Sequence, residues 1–332
     1  MRVLVTGAGG FLGSCVVEAL LKRGHYVRAI VRPASQEPKW TRAVQLFRAD
    51  LRVHNNLQSA FDGIDAVIHL AAATTGNEDT QFTSTVIGTE RLLEAMARSA
   101  TKRLIHISSL VVYDWSRAKG VMDESSPLLS EIYSMGGYTI AKVWQERLVR
   151  RFALANAWKL TVMRPGFIWG ARHAEIAGMG RRFGHFYLLF GPLTRLPLSH
   201  VANCADCIVL ATENPAAIDQ TFNVVDEDKV RVLRYVREYA RRTGNRGLLL
   251  FFPYGMGLAL AHLAFSLSRA LFGTKGKLPS LLVPRRFQSQ FKPLRFSNRK
   301  LQKVLGWTPP FAFDECLDLT YPAATGTPGK RE

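Results

Sequence analysis

Acidic residues are scarce in this chain: 26 Asp and Glu stand against 44 Lys and Arg, a formal net charge of +18 over 332 residues. The shortage is concentrated. Between Glu238 and Asp314 no acid occurs, while thirteen basic residues do, from Arg241 to Lys303. A field of one sign attracts anions, which leaves phosphorylated small molecules, nucleic acid and an anionic membrane face as partners. Nucleic acid is not expected, because no helix-turn-helix or aromatic single-strand platform accompanies the charge. Cysteine is scarce too. Cys15, Cys204, Cys207 and Cys316 cannot form a disulfide framework in so long a chain, and a reducing cytoplasm is the expected setting. Cys204 and Cys207 make a lone C-x-x-C with no second pair or spaced histidines, so neither a metal nor a redox site is expected. Met1 to Val5 runs directly into a strand and a glycine loop, without a basic n-region or a cleavage site, so export is not expected. No long Ser, Gln, Pro or Gly tract interrupts a composition that is 47% hydrophobic, which excludes disorder. The length predicts one large α/β unit or two coupled domains.

Only one long uncharged run is present, Gly247 to Ser268, with Arg246 before it and Arg269, Lys275 and Lys277 after it. Its length meets the criterion for crossing a bilayer, but Pro253, Gly255, Gly257 and His262 interrupt it. A spanning helix, a monotopic membrane-facing helix pair and a soluble lid over a substrate all stay open.

What is abundant is alternation. Arg2–Thr6 reads as a buried-type strand, a glycine loop follows, and helical apolar spacing begins at Phe11 and runs to Arg23. Further strands are expected at 26–31, 44–49, 66–70 and 104–108, with a helix over 85–98 before the last of them. A long helix is expected over 137–155 and a sixth strand over 160–164. This rhythm predicts a parallel sheet with helices on both faces. After Gly166 it breaks down, and only 198–201 and 220–225 look like strands. We therefore expect a cofactor-binding domain at 1–165 with a returning segment near 199–225. A smaller mixed α/β domain for substrate is expected at 166–198 and 226–332.

Thr6-Gly7-Ala8-Gly9-Gly10-Phe11-Leu12-Gly13 lies between the first strand and the first helix, where small residues let a pyrophosphate approach the free N–H groups of the helix start. The spacing of Gly7, Gly10 and Gly13 resembles the T-G-x-x-G-x-x-G of extended short-chain dehydrogenases. Asp50-Leu51, His69-Leu70-Ala71-Ala72, Ser108-Ser109-Leu110-Val111-Val112-Tyr113, Tyr138-Thr139-Ile140-Ala141-Lys142, Arg164-Pro165-Gly166 and Leu305-Gly306-Trp307-Thr308-Pro309 follow in that family's order. The resemblance is to the NAD(P)-dependent epimerase/dehydratase branch together with its 3β-hydroxysteroid dehydrogenase relatives. It implies a Rossmann-type doubly wound sheet. Cofactor contacts are implied at Gly7, Gly9, Gly10, Phe11, Leu12, Gly13, Asp50, Leu51, Leu70, Ala71, Ala72 and Pro165, with Lys142 and Tyr138 beside the nicotinamide ribose. A homodimer through the helices beginning near Thr85 and Gly137 is implied by analogy.

Tyr138 and Lys142 are four apart on one helix, so both side chains leave the same face. A nearby ammonium favours the phenolate and makes Tyr138 a usable acid or base, while Ser109 would polarise the substrate oxygen. Thr85 stands where the family has an asparagine that holds a proton-relay water, which puts that relay in doubt. Arg32 replaces the acid that would accept from the ribose of NAD. With Ser35 it suits the 2′-phosphate, so NADP is expected ahead of NAD. Leu110-Val111 follows the serine where dehydratases and decarboxylases carry acids, leaving hydroxyl/ketone redox chemistry or 4-epimerisation. A nucleotide sugar is the leading expectation, with Arg172, Arg181, Arg182, Arg195, Arg285, Arg286 and Lys292 as candidate contacts. A membrane-associated enzyme acting on a lipid-like alcohol, peripheral on the inner membrane face, is the first alternative. A catalytically silent NADP-sensing regulator is the second.

Overall fold

Apolar runs such as Val3–Val5 and Ala66–Ile68 need cover on both faces, and a parallel sheet between two helical layers supplies it. In the computed structural model, residues 1–322 are described except 34, 35, 37, 39, 54–56, 172, 227, 228, 246 and 274–277. The strands are β1 Arg2–Thr6, β2 Tyr26–Val31, β3 Gln45–Arg48, β4 Ala66–His69, β5 Arg103–Ile107, β6 Val121–Met122, β7 Lys159–Pro165, β8 Phe167–Trp169, β9 Arg181–Phe183, β10 Phe186–Phe190, β11 Leu198–His200, β12 Gln220–Val224, β13 Leu248–Phe252 and β14 Arg295–Phe296. The helices are α1 Phe11–Lys22, α2 Glu78–Phe82, α3 Gly88–Ala97, α4 Gly137–Ala155, α5 Val201–Glu213, α6 Val232–Thr243, α7 Tyr254–Phe272, α8 Pro284–Phe291, α9 Arg299–Leu305 and α10 Phe313–Thr320.

Seven parallel strands form the main sheet in the order β12-β7-β5-β4-β1-β2-β3. Strand order reverses between β1 and β4, so a crevice opens at their carboxyl ends, where a doubly wound sheet binds ligands. One face is covered by α1 and α5, with Leu301, Leu305 and Trp307 completing the layer. The other is covered by α3 and α4 through Leu92, Leu93, Met96 and Val149.

Two expectations need correction. The helix expected over 85–98 is broken: α2 leads into a π-helical turn at Thr83–Ile87 before α3 begins at Gly88. Thr89 donates its hydroxyl proton to the Thr85 carbonyl across this turn, a back-bond that bends helices. The uncharged run is neither one spanning helix from Gly247 nor a helix pair. Its first part is β13, paired in parallel with β10, and Pro253 ends that strand and precedes α7. The C-x-x-C segment is the plain helix α5, with Cys204 and Cys207 buried in the core and their thiols pushed up by burial.

Candidate functional site

The glycine loop is built around close backbone approach. Gly7 has φ +69°, a left-handed conformation that suits glycine, and an added Cβ there would sit 2.8 Å from the Ala71 nitrogen. A Cβ on Gly13 would lie 2.0 Å from the Gly7 carbonyl oxygen, so the first turn of α1 can rest on the loop only with glycine at that position. Gly9 faces open space, and Gly10 caps α1 without any side-chain bond or acidic residue in the first turn. Free N–H groups, an uncompensated positive helix end and room above the loop fit a dinucleotide pyrophosphate. Phe11 and Leu12 open α1 beside it. Phe11 stacks on His173 with ring centroids 4.2 Å apart, a contact no motif announces.

The other expected cofactor residues lie at the carboxyl ends of the sheet strands. Leu70, Ala71 and Ala72 follow β4, next to β1, and the Ala71 N–H donates to Thr6 Oγ1 at 3.4 Å. Pro165 ends β7. Leu51 packs against Gly88. Arg32 is exposed at the end of β2, and its charge helps to hold the Asp50 carboxyl below the ordinary range. The larger cause is Arg52, whose guanidinium chelates Asp50 through bonds of 2.6–3.1 Å. Ser35 lies outside the described residues.

Ser109, Tyr138 and Lys142 converge where β5 ends against the start of α4. Ser109 is extended (φ −167°, ψ 157°) and accepts from the Val111 N–H at 3.3 Å. Tyr138 is the second residue of α4, half-buried. Burial pushes its phenol up, and a hydrogen bond with Ser109 opposes the rise. Gly137 lets α4 begin here, since a Cβ would strike the Gln81 and Glu78 side chains at 2.6 and 2.8 Å. Lys142 is 3% exposed and donates to the Ile107 carbonyl at 2.8 Å and to Gln145 Oε1 at 2.9 Å. Burial lowers its ammonium to about 7 despite the opposing charge of Glu146. The phenolate expected from the sequence rests on the charge of Lys142 together with that of an oxidised nicotinamide.

Behind these three lies a buried polar layer that motif reading missed. Gln145 and Glu146 were detectable only as the third and fourth residues after Lys142 on the same helix. Glu146 accepts from Ser108 at 2.5 Å, from Arg150 at 3.0 Å and from Arg164 at 2.5 and 3.1 Å. Arg164 continues to Tyr113 at 2.8 Å, and Tyr113 to Asn223 at 2.8 Å. Thr85 is buried, and its hydroxyl accepts from the Ala73 N–H at 3.0 Å.

The cationic residues expected to grip a diphosphate are largely committed elsewhere. Lys292 donates to the carbonyls of Trp115, Ser116 and Ala118 at 2.8–2.9 Å. Arg286 donates to Ser134 and Met135, and Arg285 pairs with Glu131. Arg181 donates to Gln290 and Arg182 to Asn245. The Arg195 backbone forms an isolated β-bridge with Arg231, which does not engage its guanidinium, and Arg172 lies outside the described residues. Among the described residues no group of three His, Cys, Asp or Glu could hold a metal ion.

A doubly wound sheet, a glycine cradle at its switch point and a serine, tyrosine and lysine at the adjacent strand and helix ends define a nicotinamide-dependent enzyme of the extended short-chain dehydrogenase type. The family model for the NAD dependent epimerase/dehydratase family matches residues 3–225, and the chain belongs to that family. It is 30% identical over 277 residues to the 4-hydroxy-2-methyl-3-oxo-4-farnesyl-3,4-dihydroquinoline-1-oxide ketoreductase of Stigmatella aurantiaca, covering 82% of each chain. It is 29% identical over 339 residues to a 3β-hydroxysteroid dehydrogenase/Δ5→4-isomerase of Mycobacterium tuberculosis, covering 95% of this chain and 89% of that one. In fold it is similar to the UDP-glucuronic acid 4-epimerase of Bacillus cereus, with a TM-score of 0.70, 19% identity and coverage of 97% and 98%.

Proposed function

We propose that the protein uses NADP to interconvert a secondary hydroxyl and a ketone on a lipid-like substrate drawn from a membrane surface. One observation carries this reading: the apolar side chains of α7 that are turned outward. Only 11% of the most apolar window of this 19-residue helix is buried, and Met256, Leu260, Leu263, Leu267 and Leu271 are all exposed at spacings of three and four. Leu248 and Phe251 of the neighbouring β13 are exposed as well. A patch of this size marks an interaction surface, and the absence of acids between Glu238 and Asp314 matches it to an anionic bilayer. A second copy of the same patch would meet charge of its own sign. The helix lies along the surface rather than through the bilayer. Gly257 lets it press on α8, where an added Cβ would sit 2.6 Å from Phe287, and Ala261 is fully buried. The names of the two curated relatives fit, one carrying a farnesyl group and the other a steroid.

The nicotinamide supplies or accepts the hydride when bound. Ser109 would donate to the substrate oxygen, and Tyr138, protonated through its burial, would deliver the proton that a ketone needs on reduction. Lys142 would hold the ribose and, when charged, draw the phenol toward its anion. The turn Leu110–Val112 places no carboxylate beside the substrate, which argues against elimination of water.

The test is reduction of a farnesylated ketone or oxidation of a 3β-hydroxysterol embedded in phosphatidylglycerol vesicles, followed by nicotinamide absorbance. Changing Leu260 and Leu263 together to glutamate is expected to lower activity on the embedded substrate at least about tenfold and to abolish cosedimentation with vesicles. Activity on a short water-soluble ketone should stay within about twofold of the unaltered protein. A protein that epimerises UDP-hexoses and ignores the embedded alcohols would overturn this reading. That outcome is the second reading, favoured by a cleft of about 360 Å³ bounded by Glu175, Arg181, Arg182 and Tyr187. No observation favours a silent regulator. We also propose that pairing of two copies, where it occurs, uses α4, where Trp144 and Leu154 are exposed.

Arg32 carries the choice of NADP over NAD. Changing it to aspartate is expected to weaken NADP binding at least about tenfold while leaving NAD within about threefold, since only the 2′-phosphate loses its partner. Fluorescence titration of both reduced cofactors measures this. An unaltered protein that binds NADH ten times tighter than NADPH removes the proposal.

A further inference from the structure

Gln145 is fully buried and in direct contact with Lys142. Its orientation is fixed by the donors and acceptors around it. Lys142 can only donate, so Oε1 of Gln145 faces it at 2.9 Å. The amide nitrogen then has two protons to place, and two acceptors are at hand, the Ala71 carbonyl at 3.0 Å and Thr89 Oγ1 at 2.8 Å. Thr89 spends its own proton on the Thr85 carbonyl at 2.5 Å. Its oxygen therefore accepts at 2.7 Å from His69 Nε2, which carries the ring proton, and His69 Nδ1 accepts from Thr6 at 2.7 Å. Gln145 Nε2 also lies 3.2 Å from His69 Nε2, a contact between two donors that carries no bond in this assignment. The chain of bonds runs from the strand end beside the glycine loop, through Ala71, to the ammonium of Lys142.

We propose that Gln145 is a positioning residue, tying the expected cofactor contact at Ala71 to the charge and placement of Lys142. Thr85 accepts from the Ala73 N–H through its hydroxyl and from Thr89 through its carbonyl, and no bond joins it to the lysine. Nothing else near Lys142 duplicates the role. His69 is held neutral, its imidazole pushed down to about 3 by burial and by Lys142 itself. His106, on β5, is likewise driven well below its ordinary value by burial, and neither ring nitrogen has a partner. Glu146 faces Lys142 from the same helix but is engaged by Arg164, Arg150 and Ser108. Tyr138 bonds to Ser109. Besides the Ile107 carbonyl, the Gln145 oxygen is the lysine's partner.

Removing that oxygen should discharge Lys142 more readily. Gln145→Leu keeps the volume and loses all three bonds. Gln145→Glu keeps an acceptor for the lysine and adds charge. The readout needs no substrate, so it stands whether or not the lipid-like reading does. It is the carbon-13 NMR shift of the Lys142 side chain beside its nitrogen, assigned by its loss in Lys142→Met and followed against pH. Gln145→Leu is expected to lower the midpoint by about one pH unit, and Gln145→Glu to leave it at or above that of the unaltered protein. Thr89→Val, which cuts the chain one step further away, should lower it by a smaller amount and serves where the leucine variant does not fold. A midpoint unmoved in folded Gln145→Leu, or in Thr89→Val in its place, overturns the proposal and reduces Gln145 to a core residue.

Discussion

Phenylalanine in place of Tyr138 is expected to cut turnover about 10³-fold, the share of the rate a positioned general acid or base supplies. Cofactor affinity should stay within about twofold, because the glycine cradle and Lys142 are untouched by the change. The fold should tolerate it: the ring keeps its half-buried place at the second residue of α4, and the loss is one hydrogen bond with Ser109. Ser109 does not depend on that bond for its position, since the Val111 N–H also holds its oxygen. Steady-state rates with saturating cofactor, beside a fluorescence titration of the cofactor itself, separate the two effects. Turnover of the phenylalanine protein within about tenfold of the original would show that the proton comes from another group, and the assignment of Tyr138 would fall.

The parts of this molecule legible from sequence share a physical property: their signal is local. The glycine loop, β1 and α1 are one strand–turn–helix whose spacing follows from steric approach, and Gly7 and Gly13 are needed for contacts within a few residues of themselves and with Ala71. The ends of α4 could be placed at Gly137 and Ala155 because its apolar spacing is uninterrupted. The break at Thr83–Ile87 was not legible. It depends on a side-chain back-bond from Thr89 and on packing against α4, while the residues themselves keep a helical pattern. The run from Gly247 misled for the opposite reason. Hydropathy cannot separate a strand from a helix in an apolar stretch, and Pro253, read as a weakness in one helix, is the boundary between two elements. Charge misled as well. Arg285, Arg286 and Lys292 look like free cations in sequence, but they are consumed by backbone carbonyls of the segment between Leu110 and Gly136 that only the tertiary structure brings near.

Glu146 shows how the stability of the fold is joined to the site, and its replacement by glutamine is expected to be the most destabilising single change proposed for this protein. Burial alone would push its carboxyl up. The hydrogen bonds and charge of Arg164, with Arg150 and Ser108, overcome that and bring it to about 2 from an ordinary 4.5. A folded-state value below the unfolded one means that the carboxylate's contribution is complete above about pH 4.5 and is lost as the pH falls toward 2. At about 1.4 kcal/mol per pH unit, the difference corresponds to about 3 kcal/mol at neutral pH. Breaking a buried pair from one side costs a similar amount, because Arg164, 2% exposed, would keep its charge without a counterion. Urea unfolding of the glutamine protein should therefore give a midpoint well below the original at pH 7, with the gap closing as the pH approaches 2. A gap that is the same at both ends would mean that the loss comes from packing and not from charge. The same substitution should reach Lys142. Glu146 is the carboxylate whose charge holds the buried ammonium up, so its removal should lower the lysine further. Activity should then fall even under conditions where the variant is fully folded, which a purely mechanical role for Glu146 would not produce.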